Sequence, residues 1–167
     1  MTQTNEFATG DFVVYPTHGV GKIVAEETQE IAGTQLTVFV IDFERDRMTL
    51  RLPVAKAKAS GLRPISTRKQ MQSAVAKLKG RSRARRTMWS RRAQEYETKI
   101  NSGDPISIAE VVRDLHRGEE QPDQSYSERQ MYQAALERLA REFAAVEDMD
   151  TDSAAARIEE IMQKEAA

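Results

Sequence analysis

The hydrophobic period of this chain changes once, and that change constrains the fold more than any other feature. In "MTLRLPV", Met48, Leu50, Leu52 and Val54 fall on one side and Thr49 and Arg51 on the other, the two-residue period of a strand. After "RPIS" (Arg63 to Ser66) the period becomes helical. Met71, Val75 and Leu78 recur at i, i+4, i+7, and Ile108, Val111, Val112 and Leu115 at i, i+3, i+4, i+7. Tyr132, Ala135, Leu136, Leu139, Phe143 and Val146 sustain such a stripe, and Ile158, Ile161 and Met162 start another. A strand-period segment followed by a helix-period segment predicts two modules in series.

The first module is predicted to contain four strands. "DFVVY" is short and mostly apolar, and "PTHGVG" after it punctuates a turn. "GKIVAEETQEI" and "LTVFVIDF" flank "AGTQ", a hairpin turn around Gly33, and "ERDR" is polar enough to turn before "MTLRLPV". These strands predict a small N-terminal β barrel of Tudor or SH3 type over residues 1–62. Little of its surface can be buried, so it is close to the lower limit of independent stability. Residues 63–167 are predicted to form an all-α bundle of about five helices, giving an α+β chain of two domains. Gly80 and Gly103 are placed to end helices, and Asp104-Pro105 to cap and open one. "GEEQPDQS" is a polar connection.

The net charge of −1 conceals a strong asymmetry. Between Arg47 and Gln94 stand 15 Lys or Arg and no acid, whereas residues 118–167 hold five basic and thirteen acidic side chains. Such a band can steer a near-neutral chain to a polyanion. The absence of cysteine excludes disulfides, thiolate metal sites and cysteine nucleophiles. There is no apolar run of about 18 residues and no basic-then-apolar N-terminal pattern, so a cytoplasmic protein with no membrane partner is expected.

No catalytic pattern emerges. His18 and His116 have no metal-ligand spacing, and "GVG" at 19–21 lacks the phosphate-loop spacing and joins strand to strand. The glycines there fit a tight turn needing positive φ. The chain is expected to be no enzyme, with no metal and no cofactor.

"GRSRARRTMWSRR" (residues 80–92) holds the only tryptophan, among six arginines. On a helix over 84–102, Trp89, Ala93, Tyr96 and Ile100 share one apolar stripe, which suits a core residue. Yet Trp89 stands at the N-terminal end of that stripe, with Arg85, Arg86, Arg91 and Arg92 close by. Arginines on phosphates around an apolar ring inserted at a base step are a known device for gripping DNA. Periodicity and charge thus point in different directions for this ring.

"GDFVVYPTHGVGKI" (Gly10 to Ile23) resembles the opening of the CarD/CdnL transcription regulators, shared with the polymerase-interacting module of the transcription-repair coupling factor. "WSRR", followed by "SGDPISIAEVVRDL" (Ser102 to Leu115), resembles their helical DNA-binding domain. The resemblance covers nearly the whole chain. It implies a Tudor-like domain that binds the RNA polymerase β subunit and a helical domain on promoter DNA, stabilising open complexes without catalysis, metal or nucleotide. By position it makes Trp89 a minor-groove wedge at the upstream edge of the bubble, with Arg91 and Arg92 facing DNA and Arg129 a second contact. Arg51 matches a basic position facing polymerase, in the strand that also carries Thr49. Gln29 stands where some relatives carry an arginine toward polymerase, and Gln94 where some carry a lysine near the wedge. Charge alone adds Arg81, Arg83, Arg85 and Arg86 as phosphate contacts. A monomer is expected. Two other readings stand beside this one: an RNA- or ribosome-associated module, and a structural adaptor with a buried Trp89.

Overall fold

The structure is a computed structural model that describes residues 7–80, 88–116 and 125–166. The chain divides into two compact units, Met1–Ile65 and Ser66–Ala167.

The first unit is a five-stranded antiparallel sheet: β1 (Phe12–Tyr15), β2 (Gly19–Ile31), β3 (Thr34–Phe43), β4 (Met48–Pro53) and β5 (Arg63–Pro64), in the order β4-β3-β2-β1-β5. The turn joining β2 to β3 places Ala32 and Gly33 at φ 51° and 78°. Two successive positive φ values match the right-handed strand twist. Inward residues of β1 to β4 meet in one core of Val13, Ile23, Phe39, Ile41, Phe43 and Leu52, closed by Phe7, Ala57 and Leu62.

The expected barrel does not close. β4 and β5 are the two edges of the sheet and do not pair with each other. Pro53 ends the first and Pro64 the second, and proline has no N–H to donate to a further strand. The glycines of "GVG" also do different work from that expected of a single turn. Gly19 takes φ 82°, but Gly21 is buried inside β2, where an added Cβ would lie 2.8 Å from both Ile41 Cγ2 and Phe43 Cε1. Close packing, not turn geometry, requires the second glycine.

The second unit holds α1 (Arg68–Leu78), α2 (Trp89–Asn101), α3 (Pro105–Leu115), α4 (Tyr126–Glu147) and α5 (Thr151–Ala166). Thr67 and Gln70 form a capping box at α1, Asp104 accepts from the Ile106 N–H at α3, and Ser125 accepts from the Glu128 N–H at α4. Gly103, at φ 72°, turns the chain between α2 and α3. α3 is the most apolar helix and packs against α1, α2 and α4. Ile108, Val111, Val112 and Leu115 are all buried, each contributing about 1.5–3 kcal/mol relative to exposure. Beside them, Arg113 Nε donates to Asp114 Oδ1 at 3.0 Å, with both side chains nearly buried. No helix among the described residues is long and apolar enough to cross a membrane.

α2 starts later than the helix expected over 84–102. Met88 has ψ 138° and is its N-cap, so Trp89 is the first helical residue. The rest of the expected span, residues 84–87, lies outside the described residues.

Candidate nucleic-acid interface

Burial along α2 falls toward its N-terminus. Ile100 and Tyr96 are buried in the helical core, Ala93 is half-buried, and Trp89 is half-buried against the rim of that core. The C-terminal end of α2 is fastened from two neighbours. Lys99 Nζ donates to Glu110 Oε2 on α3 at 3.0 Å, and Arg138 Nη1 on α4 donates to the Ile100 carbonyl at 3.2 Å. The Ile100 carbonyl also accepts the Gly103 N–H at 3.2 Å, so the arginine of another helix takes its second lone pair. Trp89 stands at the opposite end, beside Met88, which is 77% exposed.

The indole is held by two side chains of its own helix. Its centroid lies 6.2 Å from that of Tyr96, tilted by 48°. The Arg92 guanidinium sits 5.6 Å from the centroid of each ring and donates through Nη2 to the Tyr96 hydroxyl at 3.2 Å. Arg91, one residue earlier, is exposed. The first turn of α2 has no side-chain cap, so its backbone N–H groups add partial positive charge to that end.

The remaining positions predicted to meet DNA are placed differently. Arg81, Arg83, Arg85 and Arg86 lie outside the described residues. Arg129 is exposed in the first turn of α4, and among the described residues no hydrogen bond, ion pair or ring contact joins it to Trp89. Gln94 is exposed on α2.

The positions predicted to meet polymerase share one face of the sheet, the face opposite the core. Arg51 pairs in register with Val40, Thr49 with Asp42 and Gln29 with Leu36. The face is shared but the positions are not adjacent: from Leu36 to Asp42 along β3 is about 20 Å. Gln29 is therefore near the hairpin end and Thr49 at the other, with Arg51 between. Arg51 Nε lies 3.7 Å from Glu27 Oε2, both side chains being exposed. Beneath them Val38 and Val40 are buried although they point away from the core. Arg51 and Glu27 thus stand over an apolar floor.

Sequence reasoning missed Tyr96 as a partner of Arg92, Glu27 as a partner of Arg51, and the apolar floor. The unbroken run "VFVI" was the available signal for the last, because a strand buried on both faces loses its alternation. Cross-strand and i, i+4 partners are geometrically allowed in many combinations, so neither pairing could be chosen without coordinates. Among the described residues no group of three or more His, Asp or Glu is placed to hold a metal ion.

The order of modules, an open antiparallel sheet and then a helical unit, agrees with the family models that match the chain, which are those of transcription regulators. The CarD-like/TRCF RID domain matches residues 7–66 and the CarD C-terminal domain matches residues 73–159. The chain belongs to the CarD family. A candidate transcription factor of Bacillus subtilis (strain 168), YdeB, is 31% identical over 140 residues, which are 84% of this chain and 92% of that protein. The solution NMR structure of the 72-residue N-terminal domain of Myxococcus xanthus CarD matches with 35% identity. That match covers 38% of this chain and 84% of the other, with a TM-score of 0.31.

Proposed function

We propose that this protein regulates transcription without catalysis, by holding the RNA polymerase β subunit through its sheet and promoter DNA through α2. In this reading Trp89 enters the minor groove at the upstream edge of the melted region and stabilises the open complex. The observation that carries the reading is the half-buried Trp89 at the first position of α2, braced by Arg92 and Tyr96. A ring sunk in the core could not reach a base step, and an unsupported ring would lose conformational freedom on insertion. Arg91, Arg129 and the arginines of 81–86 supply phosphate contacts. Arg51, Thr49 and Gln29 lie on the polymerase side, with Arg51 at its centre.

The mechanism is a population shift. A factor that grips polymerase and the edge of opened DNA binds the open state more tightly than the closed one, and shifts the equilibrium by that difference alone. Two modest contacts on one chain raise each other's effective concentration. The protein works as a monomer in the cytoplasm, at the nucleoid with polymerase, and does not depend on reading a base sequence.

The test is Trp89→Ala in a transcription system with purified polymerase. Stacking of one base on an aromatic ring is worth about 2 kcal/mol, so open-complex lifetime should fall roughly 30-fold. Polymerase co-purification should be unchanged. An unaltered lifetime with a folded variant removes the wedge role. Displacement of the protein from polymerase by structured RNA would favour an RNA-binding module instead.

A further inference from the structure

Arg92 is one of the two arginines beside the tryptophan and was expected to meet DNA directly. Its surroundings give it a different task. The guanidinium lies equally far, 5.6 Å, from the Trp89 and Tyr96 ring centroids. Nη2 is engaged with the Tyr96 hydroxyl at 3.2 Å. Nε is enclosed, and among the described residues it meets no acceptor. A phosphate gripped by an arginine fork needs two neighbouring N–H groups on one edge. The side-on Nε–Nη2 edge has one group enclosed and the other already donating, which leaves only the Nη1–Nη2 end for a fork. Turning that edge outward would take the guanidinium off both rings. Arg91 carries none of these restraints and is exposed.

We propose that Arg92 is a positioning residue for the wedge: it fixes the orientation of the Trp89 indole from beside both rings, and does not neutralise a phosphate. This rests on the wedge role proposed above. The physical basis is that a planar guanidinium stacks on aromatic faces and donates in its own plane, so it can hold the tilt between Trp89 and Tyr96. Tyr96 is buried and fixes the guanidinium to the core, and the guanidinium fixes the indole. The ring then loses little freedom when it enters DNA, which raises affinity without adding a contact.

The test uses Arg92→Lys and Arg92→Gln in the full chain, with Trp89→Ala beside them. Lysine keeps the charge but loses the planar stack. In the free protein, both Arg92 variants should show tryptophan emission shifted to the red, with easier acrylamide quenching. With polymerase and promoter, both should shorten open-complex lifetime about threefold to tenfold. The slope of log affinity against log salt should match the wild type in both variants. An arginine that neutralised a phosphate would instead leave Arg92→Lys close to wild type, and Arg92→Gln would lower the slope by about 0.9. That pattern, or unchanged emission and quenching, overturns the positioning role. If Trp89→Ala itself leaves lifetime unchanged, the wedge role fails, while the free-protein fluorescence still reports whether Arg92 holds the indole.

Discussion

Glu142, in the C-terminal third of α4, accepts two hydrogen bonds from Ser66, the first residue of the helical unit. The Ser66 backbone N–H lies 2.8 Å from Glu142 Oε2 and the hydroxyl 2.7 Å from the same oxygen. Both residues are buried. The carboxylate thus fastens the strand of chain leading into α1 onto the longest helix. Glu142→Ala should leave the Ser66 N–H and hydroxyl buried without acceptor, at a cost of about 1–3 kcal/mol for each group. Ser66→Ala removes one bond and should cost less. Urea denaturation followed by far-UV circular dichroism measures both, and equal midpoints for Glu142→Ala and wild type would contradict the clamp.

Gly21 and Gly33 offer a contrast in why a glycine is needed. Gly33 has open space where a Cβ would stand, and only its φ of 78° resists replacement. Gly21 has the side chains of Ile41 and Phe43 in that space, at 2.8 Å. Gly21→Ala should therefore displace the sheet core and cost about 1–3 kcal/mol through overpacking. Gly33→Ala should cost about 1–2 kcal/mol through the backbone alone. The two mechanisms separate in side-chain NMR: only Gly21→Ala should shift the Ile41 and Phe43 resonances strongly.

Legibility in the sequence followed the range of the forces involved. Where a stripe repeats, the buried face could be assigned directly: Ile108, Val111, Val112 and Leu115 share one such face because the helical period is local. The strand pattern of Met48 to Val54 was equally clear. β5 was not, because two residues ending in proline carry no period and exist as a strand only through pairing with Val13 and Val14. The Ser66–Glu142 clamp spans 76 positions, and nothing local marks it. The site was partly legible for the same reason. Charge density marked the neighbourhood of Trp89, whereas its half-burial and the task of Arg92 depend on where the apolar support of α2 ends.

Asp150 gives the helical unit a response to acid. Its carboxylate accepts the Ser153 N–H at 2.8 Å and the Ser153 hydroxyl at 2.7 Å, just ahead of α5. These bonds, the backbone one first, hold its carboxyl below the ordinary value of 3.8. A group whose folded value is lowered contributes stability that is present above its unfolded value and lost as pH falls through the folded one. Helix content of α5 should thus decline on acidification below about pH 4. Asp150→Asn keeps an acceptor but cannot titrate, so its helix signal should change less over that window. Hydrogen exchange of the first-turn amides of α5 at about pH 3 and about pH 6, on either side of the carboxylate range, reads the difference. Identical changes in both proteins would rule out this cap as the source.

Arg51 can be tested for contact with polymerase separately from any part in the sheet. Its ion pair with Glu27 is exposed on both sides, and such pairs are worth about 0–1 kcal/mol. Arg51→Glu places two carboxylates together on that face, so the melting temperature should change only slightly. Polymerase affinity should fall at least about tenfold, the order expected when a charge meets its like across an interface. The informative variant is the exchange Glu27→Arg with Arg51→Glu, which restores the pair with its polarity reversed. If Arg51 meets polymerase directly, the exchange restores stability but not binding. If Arg51 acts only by ordering the face above Val38 and Val40, the exchange restores both, and Arg51 leaves the interface.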